Sequence, residues 1–268
     1  MRKVRLSPAF CLYVGAEVAS ALHHAHTRTD ERGAPLGIVH RDVSPLRIFL
    51  GTEGEVVLTD FAVARSLLPG RVTTTVPHPR GDVFYASPEA LLGEAMDPRS
   101  DLFSLGLVLL ELATLSHLYN TATARPGDLE EALPEAVKSQ VLLAAATAAA
   151  VKLPDDAEDC ILRAATFTPL DVEEISQSVF APLRAALRAL LQRKPEDRYA
   201  SAAALEADLR AGLASLGVPY GAAEAIREIR TSLEEASVST DEFGPTSDDQ
   251  LPPRMLTEDD FTTSPGGT

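Results

Sequence analysis

Apolar residues recur every three or four positions along most of the chain, and this period predicts a largely helical protein. The first such segment covers residues 7–26, where Ser7 is a candidate N-cap and Pro8 suits the first turn. Residues 128–216 keep the helical period between breaks at proline. Within that region, Ser201 can cap a last amphipathic helix.

The most apolar segment, "LFSLGLVLLELATL" at residues 102–115, predicts a buried core helix. Ser100 and Asp101 precede it and are the candidate cap. Since polar residues interrupt this run and it is shorter than a bilayer requires, we expect no membrane contact. Two cysteines and the lack of a signal-peptide pattern favour a reducing, cytoplasmic location.

Two short runs rich in β-branched residues break the helical pattern. They are "RIFL" at 47–50 and "EVVLTD" at 55–60, and the polar segment "GTEG" joins them. Two glycines around a polar turn between such runs predict a β-hairpin. The expected fold class is therefore mainly α with one small β-hairpin.

Negative charge is concentrated towards the C-terminus. The formal net charge is −15, and residues 231–268 hold nine acidic residues against one arginine, so this segment alone carries −8. An acidic chain is a poor match for nucleic acid or an anionic membrane, and we expect neither as a partner. We predict a short helix over 217–236 and a disordered acidic Ser/Thr/Pro tail over 237–268.

Five short motifs follow one another in a fixed order, with the hairpin between the first two. They are "HRDVSP" (40–45), "DFA" (60–62), "ASPE" (86–89), "DLFSLG" (101–106) and "PEDRY" (195–199). With these motifs the chain resembles the C-terminal lobe of eukaryotic-like protein kinases, most closely the bacterial Ser/Thr kinases. The resemblance covers about residues 7–215. We assign residues 1–216 to one kinase-like domain, with a possible insertion within 118–181.

The resemblance implies a site for phosphoryl transfer that uses ATP and Mg²⁺. Asp42 matches the catalytic base, and Asp60 matches the metal-binding aspartate. Arg41 has either a structural role or contacts a phosphate on the segment after "DFA". The possible phosphorylation sites on that segment are Thr73, Thr74 and Thr75, for which a solvated loop is the alternative.

Three other matched positions are architectural by resemblance. Glu89 and Arg198 should form an ion pair that is at least partly buried, and Asp101 should accept hydrogen bonds from backbone N–H groups of the catalytic loop. Three histidines, at positions 23, 24 and 26, lack partners at the spacing of a metal site. We expect these histidines on the surface of the first helix.

Four positions depart from the family pattern. Arg47 stands where an asparagine would bind a second Mg²⁺, and a guanidinium offers a metal no lone pair. We expect Arg47 to turn outward or to contact a phosphate directly. Ser44 replaces the usual lysine, and Asp82 stands where kinases with that serine often carry one. Ala62 replaces the glycine after Asp-Phe, which should restrict positive φ.

The parts of the family that hold the nucleotide have no counterpart upstream of "HRD". Six residues precede the first predicted helix, no Gly-rich loop is present there, and Lys3 is the only upstream lysine. We therefore expect the N-terminal β lobe to be missing and the binding of Mg²⁺ and ATP to be weak or absent.

These observations leave three hypotheses. We favour a truncated kinase-like C-lobe with impaired catalysis that acts as a binding or scaffold module. The alternatives are an active Ser/Thr kinase whose N-lobe comes from an upstream frame or in trans, and a degraded gene copy. Under the first hypothesis we expect a protein partner, or a second copy, at the exposed cleft face around Ile48, Leu50, Leu58 and Phe61.

Overall fold

The computed structural model describes residues 5–61, 82–120, 133, 135–151, 153 and 157–241. Its elements, in chain order, are α1 (Pro8–His26), β1 (Ile48–Leu50), β2 (Val56–Leu58), α2 (Pro88–Leu91), α3 (Pro98–Thr114), α4 (Glu135–Ala150), α5 (Ala157–Thr166), α6 (Pro169–Ser176), α7 (Ala181–Leu190), α8 (Ala202–Ala214) and α9 (Ala222–Asp241). Short 3₁₀ turns lie at Pro45–Arg47, Val83–Tyr85 and Pro195–Asp197. The prediction of a mainly helical fold with one small β-hairpin is confirmed for these residues.

Helix α1 forms as its sequence predicts. Ser7 is extended, and its Oγ accepts a 3.1 Å hydrogen bond from Phe10 N, while Pro8 occupies the first turn. One face of α1 packs against α8 and another against α3, so Leu12 and Leu22 are fully buried. Full burial of such a side chain contributes roughly 1.5–3 kcal/mol, which is why α1 belongs to the core of the lobe.

Helix α3 runs through the centre of the lobe and begins earlier than predicted. Its N-cap is Asp97, whose Oδ1 accepts a 2.7 Å hydrogen bond from Arg99 N. The prediction that Ser100 and Asp101 cap this helix is wrong, because both lie inside its first turn and their side chains bind elsewhere. None of the described helices combines the length and the apolarity that crossing a bilayer requires.

The hairpin packs one of its two faces onto the helices. The strands are antiparallel, with Ile48 opposite Leu58, Phe49 opposite Val57 and Leu50 opposite Val56. Since side chains alternate along a strand, the first and third pairs face the core, and the middle pair faces outward. Leu58 is accordingly buried, and Ile48 and Leu50 pack partly buried against the core, so of the four residues predicted to form an exposed face only Phe61 is exposed.

Helix α9 packs back onto the start of the described chain. Glu228 accepts hydrogen bonds of 2.6 Å from Ser7 N and 2.7 Å from Ser7 Oγ, and Tyr220 Oη donates a third of 2.6 Å. A carboxylate at this place is favourable, because it meets the positive end of the α1 dipole. The helix continues to Asp241, a little way into the predicted tail, whose remaining residues 242–268 lie outside the described part.

The region of the possible insertion contains α4, α5 and α6. Within it, residues 121–132 lie outside the described part, so the insertion stays a prediction. Helix α5 contacts α4 and α2, so this region packs against the helix that carries Glu89.

Candidate active site

Asp101, in the first turn of α3, holds the loop that carries the candidate base. Its Oδ2 accepts a 2.8 Å hydrogen bond from His40 N, and its Oδ1 accepts one of 2.8 Å from Arg41 N. The side chain of Asp101 is almost fully buried. The prediction that Asp101 accepts backbone N–H groups of this loop is confirmed, and the loop is therefore fixed immediately before Asp42.

His26 is a further partner of Asp101, and sequence reasoning missed it. Its Nε2 lies 2.7 Å from Asp101 Oδ2, and the imidazole is buried. The prediction of a surface position is thus wrong for this histidine. No motif signals the contact, because the two residues meet only where α1 packs against α3.

Two residues of the site have left-handed backbone conformations, with φ at 70° for Arg41 and 63° for Asp60. For a side chain with a Cβ, such a conformation costs on the order of 1–3 kcal/mol. At Arg41 the hydrogen bond from its N–H to Asp101 holds the backbone in place. The chain therefore turns sharply at Arg41, immediately before Asp42, and at Asp60 itself.

His40 connects the loop to the end of the hairpin. Its Nδ1 accepts a 3.2 Å hydrogen bond from Asp42 N, so Nε2 carries the proton that it donates to the Thr59 carbonyl at 3.0 Å. The buried ring also packs edge-on against Phe61, with 4.4 Å between ring centroids. These contacts fix the distance between the segment of Asp42 and the segment of Asp60.

Both carboxylate oxygens of Asp42 accept hydrogen bonds from the protein. Oδ2 accepts one of 2.7 Å from Arg47 Nε, and Oδ1 accepts one of 2.9 Å from Asp82 N. The Asp42 side chain is only 2% exposed. Asp42 is therefore a buried member of an ion pair, and each of its oxygens already has a partner within the protein.

Arg47 places its guanidinium between the two candidate catalytic carboxylates. Besides the hydrogen bond to Asp42, its Nη2 lies 3.3 Å from Asp60 Oδ2. The Arg47 carbonyl accepts a 2.9 Å hydrogen bond from Thr59 N, which ties its backbone to the end of the hairpin. The hydrogen bond to Asp42 raises the pKa of the Arg47 guanidinium, so it stays charged. This bridge is neither the outward orientation nor the phosphate contact that we predicted for Arg47.

The residues present do not fit the two-metal arrangement that the resemblance implies. Arg47 puts a positive charge beside Asp60, and arginine cannot donate a lone pair to a metal. Asp60 is the carboxylate best placed to contact a cation, and it already shares its Oδ2 with the guanidinium.

Asp82 contacts the site through its backbone. Its side chain accepts a 3.0 Å hydrogen bond from Phe84 N and so caps the turn Val83–Tyr85, while its N–H points at Asp42. Ser44 is buried and offers no positive charge. Among the described residues, no lysine bonds to Asp42, so Arg47 supplies the cation that this carboxylate contacts.

Glu89 and Arg198 form the predicted ion pair, in bidentate geometry. Arg198 Nη1 lies 2.7 Å from Glu89 Oε1, and Nη2 lies 2.8 Å from Oε2. Ser100 Oγ donates a further 2.6 Å hydrogen bond to the carboxylate, and the guanidinium packs 4.7 Å from the centre of the Phe103 ring. Burial alone would raise the pKa of Glu89, but the hydrogen bonds and charge of Arg198 outweigh it and hold that pKa below its ordinary value.

Four of the predicted positions lie outside the described residues. They are Ala62 and the candidate phosphorylation sites Thr73, Thr74 and Thr75. Their proposed roles stay predictions.

Comparison with known proteins identifies the same family as the motifs do. A model of the protein kinase domain matches residues 2–209. The tyrosine-protein kinase MasK of Myxococcus xanthus is 34% identical over 148 residues, which cover 50% of this chain and 23% of MasK. The serine/threonine-protein kinase PrkC of Bacillus subtilis is 31% identical over 201 residues, which cover 72% of this chain and 27% of PrkC.

A third relative, the serine/threonine-protein kinase PknJ of Mycobacterium tuberculosis, is 37% identical over 122 residues, or 42% of this chain and 18% of PknJ. This chain thus spans about a quarter or less of the length of these relatives. The matched kinase domain ends before α9, whose contacts with α1 therefore lie beyond the part that the family model describes.

Proposed function

This chain belongs to the protein kinase family, and within that family we propose that it is a kinase-like lobe with impaired catalysis that acts as a binding module. The observation that carries the proposal is the bridge from Arg47 to Asp42 and Asp60. A positively charged group of the chain itself thereby contacts both carboxylates that the family uses for phosphoryl transfer.

The bridge impairs the base function of Asp42 directly. A general base must come within about 2.6–3.2 Å of the proton that it accepts. Of the two Asp42 oxygens, one is bound to Arg47 and the other to Asp82 N. A substrate hydroxyl would therefore have to share an Asp42 oxygen with one of these donors or displace it, and displacing Arg47 leaves a buried carboxylate without its cation.

The bridge also disfavours the binding of a metal ion at Asp60. Protein kinases use ATP with Mg²⁺, and the metal neutralises charge on the phosphates. At Asp60 a guanidinium already supplies positive charge, and it repels a second cation at the same oxygen. We therefore propose that this chain binds Mg-ATP no tighter than about millimolar, which corresponds to about −4 kcal/mol.

The binding role rests on exposed apolar surface at the hairpin. Phe49 is 55% exposed and Val57 is 44% exposed, and they form the outward pair of the two strands. Leu46 and Phe61 are exposed nearby in sequence. Clustered apolar side chains of this kind favour association, so we propose this face as the surface for a protein partner or a second copy.

An active Ser/Thr kinase is the second candidate, and the anchored loop favours it. Asp101 holds His40 and Arg41 as the family pattern requires, and Asp42 and Asp60 are both retained. Under this candidate, Arg47 would move away when nucleotide binds. The two candidates therefore differ in two observables, which are the affinity for Mg-ATP and phosphate transfer.

The test combines calorimetric titration of Mg-ATP with a radiolabel transfer assay on a generic protein substrate. For the impaired lobe we expect no affinity tighter than about millimolar and no transfer above the level of the Asp42→Asn variant. Micromolar Mg-ATP affinity, together with transfer that Asp42→Asn abolishes, would establish the active kinase instead.

A further inference from the structure

A half-open apolar groove lies on the hairpin side of the lobe, apart from the carboxylates described above. Its volume is about 450 Å³. Helix α1, the hairpin, the C-terminal half of α3 and helix α9 all contribute walls. The lining includes Phe10, Val14, Ile48, Leu50, Leu112 and Ile229.

The groove is preformed and has the size of a small-molecule site. Phe10 and Val14 are buried residues of α1, and Val108 is a buried residue of α3, so core packing holds these walls in position. Ligand sites in proteins typically measure about 300–1,000 Å³ and are lined mainly by apolar side chains with a few polar groups. The volume and lining of the groove both meet this description.

One polar pair interrupts the apolar lining. Tyr85 Oη donates a short hydrogen bond to Glu111 Oε2, and both residues line the groove. Among the described residues, no other side chain or backbone N–H donates to the Glu111 carboxylate. Glu111 is also the only charged residue among those that line the groove in the described part.

Among the described residues, no cation forms an ion pair with this carboxylate. Burial, together with the hydrogen bond to Glu111, raises the pKa of Tyr85, so the phenol stays a neutral donor. His117 packs edge-on against Tyr85 with 5.2 Å between ring centroids, and burial lowers its pKa, so it is uncharged at neutral pH. A negative charge thus stands at one end of an otherwise apolar space, in a chain whose net charge is −15.

We propose that this groove binds a small aliphatic or aromatic amine, with its apolar body between α1, the hairpin and α3 and its ammonium group against Glu111. The apolar body gains from removal of its surface from water. The ammonium group gains from a charge-assisted hydrogen bond to a carboxylate in partly apolar surroundings. A carboxylic acid with the same apolar body is excluded, because two negative charges would meet at Glu111.

Three probes with one hydrocarbon chain and different head groups test this assignment: octylammonium, octanol and octanoate, each titrated calorimetrically into the full chain. We expect octylammonium to bind most tightly and octanoate to bind most weakly or not at all. Glu111→Gln keeps an acceptor for Tyr85 but removes the charge. This variant should weaken the binding of octylammonium by about tenfold, the equivalent of 1.4 kcal/mol, and should leave the affinity for octanol unchanged.

Two further variants separate the groove from general attraction to an acidic protein. Glu135→Gln removes an exposed carboxylate on α4, away from the groove, and should leave octylammonium affinity unchanged. Ile229→Trp fills the groove from α9 and should abolish binding of both octylammonium and octanol. Equal weakening by Glu111→Gln and Glu135→Gln would overturn the proposal, and so would octanoate binding as tightly as octylammonium. If the tryptophan variant does not fold, the comparison of the three head groups on the unaltered chain still tests the proposal.

Discussion

Arg47 Nε donates a 2.7 Å hydrogen bond to Asp42 Oδ2, and the same guanidinium reaches Asp60 at 3.3 Å. Arg47 lies five positions after Asp42 in the sequence, and the 3₁₀ turn at Pro45–Arg47 brings them together. Under the proposed function, this guanidinium supplies part of the positive charge that Mg²⁺ supplies in protein kinases. The guanidinium links the two retained carboxylates, since it contacts one oxygen of each.

Replacing Arg47 should therefore open the site to a divalent cation. In Arg47→Asn, the carboxylates of Asp42 and Asp60 lose their guanidinium, and the new amide oxygen is a possible third ligand. We expect Mn²⁺ affinity, measured by calorimetry or electron paramagnetic resonance, to rise by at least about tenfold over the unaltered chain. Arg47→Lys is the matched control because it keeps the charge, and a similar rise in that variant would contradict the argument.

The buried pair of Glu89 and Arg198 should dominate the stability of the C-terminal part of the lobe. Arg198→Ala leaves the Glu89 carboxylate buried without its cation, and loss of one partner of such a pair costs roughly 3–5 kcal/mol. We expect a clear fall in melting temperature, measured by circular dichroism. The control is Arg188→Ala, which removes an exposed partner of Glu173 and should leave melting nearly unchanged. Equal effects of the two substitutions would show that the Glu89 pair contributes little.

Stability should also depend on pH through Glu89. Its pKa in the folded protein lies below its ordinary value of 4.5, so the unfolded chain takes up a proton first as the pH falls. The stabilisation is fully present above about pH 4.5 and is lost as the pH falls through the folded value. Denaturant unfolding of the unaltered chain and of Glu89→Gln between pH 3 and 6 measures this difference. The gap in free energy of unfolding between the two proteins should narrow towards low pH, and a constant gap would show that Glu89 does not titrate in this way.

The outward face of the hairpin should mediate association. We expect the sedimentation coefficient of the unaltered chain to rise with protein concentration, and the double variant Phe49→Ser and Val57→Ser to remove that rise. Leu170→Ser is the control, since Leu170 is a strongly exposed apolar residue on α6, away from the hairpin. An unaltered chain that stays monomeric at every concentration and binds no other protein would remove the basis for the proposed surface.

Local sequence was enough to predict the element types, and the motif resemblance was enough to predict two architectural contacts. The period of apolar residues locates α1 and α3, and the two β-branched runs around glycines locate the hairpin, because these patterns depend on neighbours within one or two turns. The pairing of Glu89 with Arg198 and the anchoring of the loop by Asp101 follow from the motif resemblance, and both contacts are present.

Contacts that no motif signals could not be predicted in the same way. The Asp101 carboxylate binds His26 as well as the loop, because α1 packs beside α3, and neither helix encodes that contact alone. The true cap of α3 is Asp97, since Ser100 and Asp101 turn towards Glu89 and the loop instead. Asp97, Ser100 and Asp101 are all residue types that can cap a helix, and the packing around them decides which one does.

The sequence by itself determined that this chain has a kinase-like helical lobe with a hairpin, a retained pair of aspartates and an arginine in place of the metal-binding asparagine. The tertiary structure decided where that arginine points and which hairpin residues remain exposed. Residue type fixes the charge and hydrogen-bonding capacity of a side chain, but the position of a long, flexible guanidinium depends on the partners that the fold brings within about 3 Å of it. At Arg47 those partners are Asp42 and Asp60, which lie on the two sides of the hairpin and meet only when it folds.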